Sequence, residues 1–88
     1  MKDQTPLRDI WEDLLASGGY SLGFFSITLE KTRVRIYHYR TRETSYFEKD
    51  ESFEGMQQLC RERGYSLEDL LKRHYPKTFR IFNESIYA

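Results

Sequence analysis

The spacing of hydrophobic residues changes period twice along the chain, and each period predicts its own kind of element. Between Thr5 and Gly18, the residues Leu7, Ile10, Trp11, Leu14 and Leu15 fall at i, i+3, i+4, i+7 and i+8, with Arg8, Asp9, Glu12 and Asp13 on the other side. One apolar stripe backed by charge predicts an amphipathic helix near 6–17. Thr5 can cap it, Pro6 suits its first position because an N–H there would bond nothing, and Gly18-Gly19 can close it.

From Leu22 the period drops to two. Phe25, Ile27 and Leu29 alternate with Phe24, Ser26, Thr28 and Glu30, and after a short turn near Lys31-Thr32, Val34 and Ile36 alternate with Arg33, Arg35, Tyr37 and Tyr39. Two antiparallel strands follow, joined by a turn without the usual Asn-Gly chemistry. A second turn at 41–43 leads to a third strand at about 44–49. Helical spacing then returns with Phe53, Met56, Leu59 and Cys60, a helix near 53–63 that Asp50 or Ser52 can cap and Gly64 can end. Ser66-Leu67-Glu68-Asp69 is a variant capping box opening a helix near 66–75, with Leu67, Leu70, Leu71, His74 and Tyr75 as its stripe and Pro76 as its stop. The tail 78–87, with Phe79, Ile81, Phe82, Ile86 and Tyr87, reads as a fourth strand or as an extended arm.

These elements predict a single α+β domain over 1–88, in the order α-β-β-β-α-α-(β), with helices on one face of a three- to four-stranded antiparallel sheet. The expected core is Leu7, Ile10, Trp11, Leu14, Phe25, Ile27, Leu29, Val34, Ile36, Phe53, Met56, Leu59, Leu67, Leu70 and Leu71. The tetrapeptide Gly19-Tyr20-Ser21-Leu22 recurs as Gly64-Tyr65-Ser66-Leu67. With no similarity sustained around it, the echo reads as two helix ends closed by glycine and not as a duplication.

Composition narrows the class of protein. The 88 residues carry 14 basic and 14 acidic side chains, so no uniform field draws the chain to nucleic acid or anionic lipid. The one cysteine, Cys60, cannot close an intramolecular disulfide. No apolar run approaches the roughly 20 residues of a membrane span, and the acid in MKDQTPLRDI sits where a signal peptide needs apolar residues. A cytoplasmic protein with no membrane contact is expected. Aromatic residues make up 16 % of the chain, an economical way for so short a domain to build a core.

Signatures of catalysis are missing. His38 and His74 lie at no metal-ligand spacing from each other or from Cys60, and there is no phosphate loop, nucleophile elbow or acidic metal cluster. His38 shares the inward parity of Val34 and Ile36, His74 continues an apolar stripe, and Cys60 sits on another. All three read as packing residues, so neither an enzyme nor a cofactor is expected.

The informative feature is the segregation of charge. Residues 31–42 hold Lys31, Arg33, Arg35, Arg40 and Arg42 and no acid, while 43–54 hold five acids against Lys49. Strand parity places Phe24, Arg33, Arg35, Tyr37, Tyr39 and Tyr46 on the face away from the helices. Tyr and Arg are enriched where protein interfaces bind most strongly, which predicts a regulatory or inhibitory protein that contacts a protein partner through this face, with homodimerisation open to the same face. The alternative is a nucleic-acid module using Lys31, Arg33, Arg35, Arg40 and Arg42, with tyrosines stacked on bases. The order α-β-β-β-α is shared with double-stranded-RNA-binding domains. However, Ser52-Phe53-Glu54-Gly55 opens its second helix inside an acidic run where those domains need lysines, and no family is assigned on it.

Overall fold

A computed structural model describes the backbone of residues 4–87 and the side chains of 7–81. Helix α1 (Gln4–Leu15) leads into strands β1 (Gly19–Leu22), β2 (Phe25–Glu30), β3 (Arg33–His38) and β4 (Glu43–Glu48). A single 3₁₀ turn (Lys49–Glu51) then enters α2 (Ser52–Glu62), followed by α3 (Leu67–His74) and α4 (Pro76–Tyr87). The strands form an antiparallel meander in the order β1-β2-β3-β4. The predicted architecture is therefore the observed one, with α1 against β1 and β2, α2 against β3 and β4, and α3 against β1.

Register explains the core. Ile27 stands opposite both Tyr20 and Ile36, Phe25 opposite Leu22 and His38, and Val34 opposite Phe47, so one face collects the apolar residues of all four strands. Trp11 is wholly buried against that face, edge-on to Tyr20 of β1 at 5.8 Å and to Phe53 of α2 at 6.5 Å. Its indole Nε1 donates to Ser52 Oγ at 2.9 Å, and that hydroxyl donates to Lys49 O at 2.8 Å. At Gly55 a Cβ would lie 2.5 Å from the Phe47 ring, so the glycine lets α2 lie directly on β4. Leu14, Leu29, Leu59 and Leu70 are half-buried at the margin of the core, and the other expected members are buried.

Several expectations are corrected. The tail is α4 and neither a strand nor an arm: Pro76 ends α3 but occupies the first position of the next helix, where proline fits, and Phe79, Phe82 and Ile86 keep helical spacing. Strand β1, four residues of mixed exposure, precedes the strands expected from alternation. Neither Asp50 nor Ser52 caps α2 with its side chain; Glu51 holds the cap position, and Ser52 turns inward to Trp11. Ser66 does cap α3, accepting from Asp69 N at 3.3 Å. His74 is exposed, because α3 presents Leu67 and Leu71 to the core and turns its last residues outward. The tetrapeptide echo is one residue out of phase in structure. Gly64 (φ 80°) closes α2 with Tyr65 N bonded to Cys60 O at 2.7 Å, whereas at α1 the left-handed residue is Gly18 (φ 101°) and Gly19 already belongs to β1.

Replacing Trp11 by Ala should lower stability by about 3–5 kcal/mol, the range for truncating a buried large aromatic. Ser52→Ala should cost about 1–3 kcal/mol because it strands a buried indole N–H. Urea denaturation of the two variants and the wild-type protein measures both.

Candidate interaction face

On β2, β3 and β4 the residues out of phase with the core are Ser26, Thr28 and Glu30; Arg33, Arg35 and Tyr37; and Thr44, Tyr46 and Glu48. They line the face opposite the helices. Arg33 stands across from Glu30 and Glu48, and Arg35 across from Thr28 and Tyr46. The Arg33 guanidinium lies over the Tyr46 ring with Cζ 4.1 Å from its centroid. Glu30 holds both cations, at 3.3 Å from Arg33 and 2.8 Å from Arg35. Tyr37 and Tyr39 pack edge to face at 5.3 Å, and Tyr39 and Tyr46 are each 51 % exposed. Five of the six residues expected on the binding face thus come together: Arg33, Arg35, Tyr37, Tyr39 and Tyr46.

Phe24 does not join them. It lies in the β1–β2 turn, 6.4 Å from Tyr65, a ring that also touches Phe25 and His38 on the helix side. The Arg40 guanidinium lies over Phe24 at 5.0 Å. The five cations of the alternative site do not form one patch either. Lys31 sits in the β2–β3 turn, and Arg40 and Arg42 sit in the β3–β4 turn, separated by the length of β3, about 20 Å at roughly 3.3 Å per residue. Glu30 is the face residue missing from the expected set, although it shares the outward parity of Ser26 and Thr28; its position three residues before Arg33, across a two-residue turn, is the signal that would have found it.

At the end of the sheet next to Arg40, His38 is buried and stacked on Phe25 at 4.6 Å. Thr41 Oγ1 gives its one proton to Glu43 at 3.2 Å, so at 2.8 Å from His38 Nδ1 it accepts, and Nδ1 carries the imidazole hydrogen. Glu43 also receives Arg63 Nη2. Nε2 of His38 is buried with no partner among the described residues. Desolvation, with Arg63 and Arg40 nearby, holds the imidazole below its ordinary pKa against the opposing pull of Glu43. Bonds from Arg63 and Thr41 hold the Glu43 carboxyl below its usual range.

Burial pushes the Cys60 thiol up to about 11, which leaves it protonated and unreactive near neutrality. No three His, Cys, Asp or Glu residues gather into a metal cluster among the described residues. Depressions of about 280 and 180 Å³ flank Tyr65 and Ser66, both below the roughly 300–1,000 Å³ usual for small-molecule sites. No described helix is long and apolar enough to cross a membrane. Comparison with known proteins finds no matching family model, no similar curated protein and no similar solved structure.

A histidine whose folded pKa lies below its unfolded value stabilises the fold fully above that unfolded value, about 6.5, and loses the contribution as pH falls through the folded pKa. Urea midpoints should therefore decline as pH drops from about 7 to 5, and His38→Gln should flatten that decline. Below this window Glu43 adds a second loss as it protonates. Parallel midpoint–pH curves for wild type and His38→Gln would refute the assignment.

Proposed function

We propose that this is a small cytoplasmic regulatory or inhibitory protein that acts by binding, and that it engages a protein partner through the open sheet face of Arg33, Arg35, Tyr37, Tyr39 and Tyr46. The observation that supports the reading is the state of the cations on that face. Arg33 is stacked on Tyr46, and both it and Arg35 are paired with Glu30, while Glu48 stands across from Arg33, so the face offers aromatic surface on which two acids balance the two cations. A phosphate chain would have to displace Glu30. A protein surface meets tyrosines that are ordered before contact, which reduces the entropy lost on binding. Chemistry is assigned no part in the activity.

Truncating central aromatics of an interface typically costs more than about 2 kcal/mol each. A Tyr37→Ala/Tyr39→Ala variant should accordingly lose partners captured from native lysate by wild-type protein, while keeping its circular dichroism spectrum. Equal recovery by both proteins would refute the proposed face. Titration with random oligonucleotides tests the nucleic-acid alternative. Phosphate contacts by three or four of the arginines would give a log–log salt slope of roughly −2 to −4, and the protein-binding reading expects no binding at about 0.15 M salt.

A further inference from the structure

The two edges of the sheet are finished differently. Backbone bonds beside the ladders fix which groups face outward, because bonded and non-bonded pairs alternate along antiparallel strands. Leu29 N donates to Gly18 O at 2.9 Å, so on β1 the residues aiming N–H and C=O away from the sheet are Gly19 and Ser21. One of these carbonyls is occupied: Ser21 O accepts from Tyr75 Oη at 2.8 Å, while Ser17 Oγ, 3.2 Å from Gly19 O, directs its one proton to Leu14 O at 2.8 Å. On the other edge, Lys49 N donates to Thr32 O at 3.0 Å, so Thr44, Tyr46 and Glu48 aim their backbone groups outward from β4. Those groups meet no partner among the described residues. β4 has six residues paired to β3 without interruption, and it contains neither proline nor glycine. An edge of this kind is a template for another strand.

Charge along the segment identifies that strand. Reading from 40 to 51, the chain begins with Arg40 and Arg42 and ends with Glu48, Lys49, Asp50 and Glu51, so it is basic at one end and mainly acidic at the other. Arg42, Glu48, Asp50 and Glu51 have no ion pair among the described residues. An antiparallel second copy of β4 places each end against its opposite. With the two-fold axis through Tyr46, perpendicular to the sheet, Thr44 pairs with the partner's Glu48 and Tyr46 with the partner's Tyr46. Every outward N–H and C=O of the three residues is then bonded. The same register sets Arg42 beside the partner's Asp50 and Glu43 beside the partner's Lys49.

We infer that the protein forms a two-fold dimer through β4, which joins the sheets of two copies edge to edge. This inference is independent of the partner assigned to the open face. A seam of one strand pair falls in the class of interfaces below about 1,200 Å², so the dimer is transient and depends on concentration.

Sedimentation velocity from about 1 to 500 µM should show wild-type protein passing from monomer to dimer. Thr44→Pro removes an N–H that points away from β3, so it leaves the internal ladder whole and should abolish the dimer while circular dichroism stays native. Arg42→Asp and Asp50→Arg should each weaken dimerisation at least about tenfold by opposing like charges across the seam, and an equimolar mixture of the two should restore it. Wild type that stays monomeric throughout, folded Thr44→Pro that dimerises like wild type, or a mixture no better than either charge variant alone would overturn the inference. If Thr44→Pro fails to fold, the two charge variants, both at exposed positions, carry the test. Thr44→Pro keeps Tyr37 and Tyr39, so loss of dimerisation and loss of partner capture are read separately.

Discussion

Burying an indole obliges the fold to find a partner for its N–H, and in this chain that obligation organises the helical layer. Trp11 donates a hydrogen bond to Ser52, forty-one positions away, and Ser52 donates one to Lys49 O. One chain of two bonds thus ties α1 to the turn that leaves β4 and to the first residue of α2. Tyr20 and Phe53 close on the same ring from β1 and α2. The helices that pack on the sheet are gathered on the Trp11 side, and the other side of the sheet is left to polar and aromatic side chains in contact with water.

Much of this was legible in the sequence because periodicity is a local property. The stripe from Leu7 to Leu15 and the alternation from Phe25 to Ile36 each carry enough repeats to define both the element and its buried side. What escaped was either too short or decided at a distance. Gly19–Leu22 has four residues and no alternation to read, and its pairing with Phe25–Thr28 exists only once the β1–β2 turn has formed. Ser52 resembles a cap in sequence, and only the tertiary approach of Trp11 shows that its hydroxyl faces inward. Pro76 signals a stop, which it is for α3, although the same fixed φ that ends one helix can begin the next.

The candidate face shows the same division. Parity along β3 groups Arg33, Arg35, Tyr37 and Tyr39 because alternate residues of a strand share a side, and Tyr46, expected with them, joins them by pairing with Arg35 across β3 and β4. Phe24 broke the pattern because it belongs to a turn, where parity has no meaning. The charge blocks also change character on folding. The acidic block begins on the strand beside the basic one, so Glu48 stands across from Arg33, and Glu43 at the other end of β4 is taken up by Arg63. A neutral chain whose charges are separated in sequence becomes a sheet on which many of them are interleaved.

The capped carbonyl on β1 has a consequence for assembly at high concentration. A sheet with two receptive edges can accept a strand on each side, and every addition leaves a fresh edge behind, which is the geometry of a filament. Tyr75 reaches from the end of α3 to Ser21, so on that side one outward carbonyl is already taken by the chain's own side chain. A strand arriving at β1 has to displace that bond, whereas β4 offers its outward groups free, so growth is favoured at β4. One phenol hydroxyl at the rim of the fold biases assembly towards a finite object and away from an open-ended polymer.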